Sequence, residues 1–261
     1  MQRLEFEESA SWYTALMSKR HVGKICVYCG TAPAATMDHV LAREFFPISR
    51  RDNLPKVPAC GTCNGVKSGH EHYLTAVLPF AGNHRDALGV LSTMVEPRLA
   101  KNAKLKAQLA SGQRQELILQ NGMLVPSMTL PFDATRVDEL FKFITQGLLF
   151  HHFGAMLDRQ KHGVWAGFLN RQGEEMHRQL LAGNARSRIT GDLGAGALVY
   201  EGAQGVDFPE MSIWVFRIFG GIRTSGDPHE PEAVLRVIGG VTVSHRVLQR
   251  LDAGLESPVA T

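Results

Sequence analysis

Two C-x-x-C pairs, Cys26-Val-Tyr-Cys29 and Cys60-Gly-Thr-Cys63, hold every cysteine of this chain and are separated by thirty residues. That arrangement constrains the fold more than any other feature. Each pair bends the backbone so that both sulfurs face one ion, and four thiolates make a closed tetrahedral zinc site with no open coordination position. The ion would close the loop between the pairs. Few large apolar residues lie in that loop (Leu41, Phe45, Phe46, Ile48 and Leu54), so Zn²⁺ is expected to supply folding energy. The N-terminus, MQRLEFEESASW, lacks a basic region followed by an apolar run, and no stretch approaches the roughly eighteen apolar residues of a membrane span. A cytoplasmic location with no membrane partner is the expectation. In a reducing compartment, cysteines so paired read as metal ligands rather than disulfides.

Charge is uneven along the chain. From Lys19 to Lys67 there are eight basic and three acidic side chains, a local excess of five positive charges. The remainder has twenty basic against twenty-two acidic. A basic segment on a slightly acidic body suits a polyanion held by that segment, and a solvated basic face would look the same.

The hydrophobic pattern divides the chain near residue 80. Residues 7–20 read as a short helix, 36–40 as a short strand, and 54–59, with two prolines, as a short or edge strand. A helix is expected to start near Asn64, run towards Leu78 and end at Pro79. Beyond it the pattern predicts helices over 84–94 and 98–109, broken at Pro97, and a hairpin over 116–128 turning at Asn121-Gly122. Thr135-x-x-Asp138 resembles a capping box ahead of an apolar helix from Val137 to about Leu157. A further helix over 164–181 and strands over 198–200, 212–219 and 233–244 complete the reading.

Between and beside the cysteine pairs lie Asp38-His39, Asn53 and Asn64, the last followed by Lys67-Ser68. In the order C-x-x-C, D-H, N-L, C-x-x-C-N-x-x-K-S, residues 24–75 resemble the HNH endonuclease family, in its form with a four-cysteine zinc site around a ββα-metal core. The third motif position is Asn64 instead of histidine, a substitution that recurs in the family. The resemblance implies an α+β fold: an N-terminal ββα-metal module over residues 1–80, then a mixed α+β domain over 81–261 of unassigned role. It implies a structural zinc on Cys26, Cys29, Cys60 and Cys63, and a catalytic Mg²⁺ or Mn²⁺ on Asp38 and Asn64. Such an ion favours oxygen ligands. His39 would be the general base, Asn53 would hold His39 in place by a hydrogen bond across the loop, and Lys67 would contact phosphate. The implied activity is hydrolysis of phosphodiester bonds in DNA, most simply duplex DNA.

Several blander readings stand beside this one. A zinc-stabilised module that binds nucleic acid or a protein partner without catalysis explains the cysteines equally well, but not Asp38-His39 with both asparagines. His70 and His72 are alternative ligands, although Asn64 already fills the third position. His151-His152, in an apolar helix, read as satisfied or surface histidines, and Trp214 and Phe216 as core. Phe45 and Phe46 are expected to pack under the loop. The 81–261 domain offers a surface for a protein partner or a homodimer.

Overall fold

The structure is a computed structural model that describes residues 21–224 and 234–256. The helix expected over 7–20 lies outside the described residues. What is described is a mixed α and β chain, beginning with strands β1 (Thr36–His39) and β2 (Lys56–Ala59), paired antiparallel with Asp38 opposite Val57. Helix α1 (Gly61–Ala81) follows directly. It begins three residues earlier than the sequence suggests because Cys60 acts as its N-cap. It also carries Pro79 inside its last turn instead of stopping there. Two short 3₁₀ turns, Arg43–Phe45 and Ile48–Arg50, fill the long β1–β2 connection.

Helices α2 (Arg85–Val90), α3 (Glu96–Lys101) and α4 (Ala103–Gly112) come next, with a π-helical turn, Leu91–Val95, joining the first two. The expected break at Pro97 is absent. Pro97 sits in the first turn of α3, where no N–H is needed, and the chain bends at Asn102, whose side chain caps α4 through Leu105 N–H. Strands β3 (Arg114–Gln120) and β4 (Met123–Thr129) form the hairpin expected at Asn121-Gly122. Both turn residues have positive φ (52° and 74°), as a two-residue I′ turn requires.

The long helix α5 (Ala134–Phe153) has Asp133, not Thr135, at its N-cap position; the Asp133 side chain accepts no capping N–H and instead takes the Thr135 Oγ1 hydrogen bond at 2.5 Å. The helix ends earlier than the apolar pattern suggests, at Gly154. Next comes a strand where a helix was expected: β5 (His162–Phe168), then α6 (Arg171–Gly183) capped by Asn170. Strands β6 (Ile189–Leu193), β7 (Leu198–Gln204), β8 (Ser212–Ile218), β9 (Ile222–Thr224), β10 (Val234–Arg236) and β11 (Ile238–Ser244) lead to α7 (His245–Glu256). The main sheet has the order β5-β11-β8-β7-β6, with every neighbouring pair antiparallel. Helix α5 covers one face, its Phe141 edge-on to Phe216 at 5.1 Å, while Trp214 and Phe216 are fully buried, as expected of core. The opposite face holds a smaller cluster around Leu181, Ile213 and Val243.

Helix α5 also carries the N-terminal elements. Gly147 lets the β1 end approach closely: a Cβ there would lie 2.9 Å from Val40 Cγ1. The Nε2 of buried Gln146 donates to the carbonyls of Val27 (2.7 Å) and Tyr28 (3.1 Å) in the first cysteine pair. Buried residues on both sides of position 80 therefore share one continuous core, including Phe45, Phe46, Leu74, Phe141 and Trp214. Replacing Gln146→Leu leaves two carbonyls short of a donor, so a loss of about 2 kcal/mol in urea unfolding is expected. An unchanged midpoint would show that the tie contributes nothing.

Asp138 on α5, with Oδ1 against Gly167 of β5, gives a pH dependence. Burial raises its carboxyl from the usual value to about 6, with Lys142 only partly opposing. The folded chain therefore keeps a proton that the unfolded chain releases near pH 4. Stability falls as pH rises from about 4 through about 6, and then levels off. Asp138→Asn should stabilise the fold at pH 7.5 by about 1 kcal/mol after solvent screening, seen as a higher melting temperature, and leave the melting temperature unchanged near pH 3.5. Equal shifts at both pH values would assign the effect to packing.

Candidate metal centre and the adjoining Asp38–His39 site

The four sulfurs are brought together from two local turns. In the first, Cys26 N–H donates to Ala32 O and Gly30 N–H to Cys26 O, both at 2.9 Å, wrapping the chain around the pair. In the second, Cys60 is extended while Cys63 lies in the first turn of α1, and Cys60 Sγ accepts Cys63 N–H at 3.4 Å. Ala32 N–H likewise points at Cys29 Sγ, 3.5 Å away. All four sulfurs lie within 4.8 Å of one another. A tetrahedral zinc with 2.3 Å bonds needs sulfurs about 3.8 Å apart, so the cluster fits with a small contraction.

Acid–base chemistry agrees with that fit. The Cys63 thiol is pushed well up by burial and then by the sulfurs of Cys60 and Cys26. Burial also opposes ionisation of Cys29, but the Thr31 and Ala32 N–H groups outweigh it and bring this thiol down to about 6. One sulfur is thus ready to ionise while its neighbour resists. A dication among them removes the repulsion and allows four thiolates. Among the described residues, this is the one cluster of His, Cys, Asp or Glu side chains close enough to hold a metal. It can hold a structural metal such as zinc.

A second cluster lies on β1 and α1. Asp38 is buried at 9% exposure, and its Oδ2 accepts from Tyr28 Oη at 2.8 Å and lies 3.1 Å from Lys67 Nζ. Lys67 is fully buried: Nζ also donates to the His39 carbonyl at 2.7 Å and to Glu71 Oε1 at 2.5 Å. The expectation that Lys67 touches phosphate is therefore corrected. Its ammonium is turned inward, where a buried cation must be paired, and it pins the β1 end to α1. Two carboxylates around one ammonium leave the cluster with a net negative charge when both are ionised. Burial pushes the Glu71 carboxyl up, and Lys67 opposes that shift.

His39 follows Asp38 on the strand and takes the other side of it, half exposed. Burial pushes its imidazole down to about 4, with Lys56 and Arg43 adding to the effect and Asp38 opposing it. The ring is consequently neutral at physiological pH. Asn53 does not hold it. Asn53 is exposed, sits at φ 57°, and forms no hydrogen bond to His39 among the described residues. Its amide suits the left-handed backbone of the turn before β2, which accounts for an asparagine there. Asn64 is half-buried in the first turns of α1, one turn before Lys67 on the same face. Neither its side chain nor Asp38 Oδ1 has a hydrogen-bond partner among the described residues.

Tyr28 and Glu71 were not evident as members of this cluster. Glu71 did carry a signal, the i,i+4 spacing from Lys67; Tyr28 is brought in by the metal loop and packs edge-on against Phe143 at 5.0 Å. The other candidates fall elsewhere. His70 is half-buried with Nδ1 unpartnered, His72 is exposed, and neither joins a metal cluster. His152 is satisfied by Tyr200 Oη at 2.9 Å and His151 is exposed. Phe45 and Phe46 are fully buried under the loop, as expected. No described helix is long and apolar enough to cross a membrane. No protein-family model, curated protein or solved structure matches this chain.

Proposed function

We propose that the chain is a metal-dependent endonuclease of the HNH type, hydrolysing phosphodiester bonds in DNA. The observation that carries this reading is the placement of Asp38 and His39 on opposite sides of a short strand that is anchored to α1 one turn beyond Asn64. The partnerless Oδ1 of Asp38 and the Asn64 amide oxygen suit a hard divalent ion such as Mg²⁺ or Mn²⁺. Bound there, the ion would polarise the scissile phosphate and stabilise the leaving oxygen. His39, neutral and partly exposed, can accept a proton from water at a ring nitrogen. Lys67 acts from behind: it fixes the His39 carbonyl and one oxygen of Asp38, leaving Oδ1 without a partner. Exposed Arg43 and Lys56, both close enough to depress His39, supply positive charge beside it for a phosphate backbone.

One observation favours a second reading, a zinc-stabilised nucleic-acid-binding or interaction module without catalysis. The Lys67 ammonium already neutralises part of Asp38, which weakens that carboxylate's pull on a second cation. The two readings separate on supercoiled plasmid DNA with Mg²⁺ or Mn²⁺. Nicking that stops on chelation, and an Asn64→Ala variant that needs about tenfold more ion for the same rate, support the nuclease. Binding without nicking at any ion concentration supports the second reading.

A further inference from the structure

Among the described residues the β3–β4 hairpin joins no other strand, and its two outer edges differ chemically. Because a two-residue turn closes it, Gln120 and Met123 form a hydrogen-bonded pair, and pairs then alternate along the ladder. Leu119–Leu124 and Leu117–Pro126 are consequently non-hydrogen-bonded pairs, whose backbone groups point outward. On β4 the middle of these outward positions is Pro126, which has no N–H. That edge is blocked, by a device that costs the hairpin no internal hydrogen bond. On β3, Gln115, Leu117 and Leu119 aim complete sets of N–H and C=O groups away from β4, and no described strand pairs with them.

The side chains beside that edge are equally unprotected. One face of the hairpin, with Ile118, Ser127 and Thr129, looks into a cleft of about 530 Å³ against the end of α1. The other presents Leu117 and Leu124 at 63 and 64% exposure. On β3 the charges are confined to Arg114 and Glu116, which an antiparallel pairing about Leu117 sets opposite uncharged Gln120 and Ile118, and from Leu117 to Leu130 the chain carries no charged residue, so this stretch has little to attract a polyanion. Two strands alone are marginal in water, and a third or fourth stabilises them.

We infer that two copies of this chain associate through the β3 edge, antiparallel about Leu117, forming a four-stranded sheet in the order β4-β3-β3-β4. Centring on Leu117 sets Gln115 of one copy opposite Leu119 of the other, so each outward-pointing residue meets another outward-pointing residue. The arrangement is two-fold symmetric and closed, because the edge left on each side is the one that Pro126 blocks. It is independent of whether the Asp38–His39 site cleaves DNA. A hairpin edge buries less than the roughly 800 Å² per partner of a standard interface, so the dimer is expected to be weak.

Sedimentation of the full-length, zinc-loaded protein tests this. Between about 1 and about 200 μM the weight-average mass should climb from the monomer's 28.7 kDa towards twice that value. Leu117→Pro removes an outward N–H and leaves the β3–β4 ladder intact, so it should hold the protein monomeric with unchanged zinc content and melting temperature. If that variant fails to fold, Leu117→Lys, which sets two like charges side by side on the two-fold axis, should weaken association at least tenfold. Pro126→Val restores the missing donor and should carry assembly past the dimer. A wild-type protein that stays monomeric, or already grows past a dimer, overturns the inference. So does undiminished association of the folded Leu117 variants, or a Pro126→Val protein that stops at two copies.

Discussion

A Cys60→Ser variant is expected to lose its zinc and melt about 10 °C lower, corresponding to about 3 kcal/mol for a chain of this size. Serine is informative at this position because Cys60 has two roles. It is one of four converging sulfurs, and it is the N-cap of α1, accepting the Cys63 N–H. A serine hydroxyl caps a helix at least as well as a thiol, so the substitution keeps the cap and removes only the metal ligand. The loss should be confined to the two turns. Between the cysteine pairs, Val40, Leu41, Phe45, Phe46 and Val57 are fully buried in the core shared with α5, so this segment has an apolar anchor besides the metal. Wild-type protein treated with a strong chelator should fall to the variant's melting temperature, and the variant should ignore the chelator. Zinc retained at one equivalent by the variant, or a melting temperature unchanged in both comparisons, would remove the metal from the account of stability.

That anchor shows where sequence reasoning reached and where it stopped. The sulfur cluster was legible because each C-x-x-C turn is local and the ligand chemistry admits few alternatives. The hairpin was legible for a similar reason, since Asn121-Gly122 demands a I′ turn. The role of Lys67 was not. A lysine in an N-x-x-K-S context looks like a solvent-facing cation, and only the packing of β1 against α1 reveals that its ammonium is enclosed by Asp38, Glu71 and the His39 carbonyl. Asn53 misled in the opposite direction: a polar residue in the right order invites a catalytic role, while its positive φ supplies a simpler reason for asparagine.

Elsewhere the differences between expectation and fold have separate causes. His162–Phe168 is half-buried or buried along its whole length, because α5 and the α6–α7 side cover its two faces. It therefore shows no alternation to separate strand from helix. Pro97 was given too much weight, since a proline in the first turn of a helix breaks nothing. Asn102 and Asn170, the actual caps of α4 and α6, marked those helix starts in the sequence more reliably than the apolar periodicity did.

His39→Ala should abolish most of the proposed cleavage and little else. A positioned general base contributes about 10²- to 10⁴-fold, so the nicking rate should fall by about that factor under conditions where wild type turns over. Folding should be spared. The imidazole is half exposed and has no hydrogen-bond partner among the described residues, and the bond that ties this position to α1 runs from Lys67 to the His39 backbone carbonyl, which alanine retains. Zinc stoichiometry and melting temperature should therefore match wild type within about 1 kcal/mol. Added imidazole gives a sharper readout than the rate alone. If His39 accepts a proton from water, the free base should enter the vacated space and restore part of the nicking in His39→Ala, while leaving a variant at Asn64 unchanged. A His39→Ala protein that nicks at the wild-type rate removes the histidine from the chemistry. One that loses its zinc instead shows that His39 supports the metal loop, and the assignment of a base on β1 would then fail.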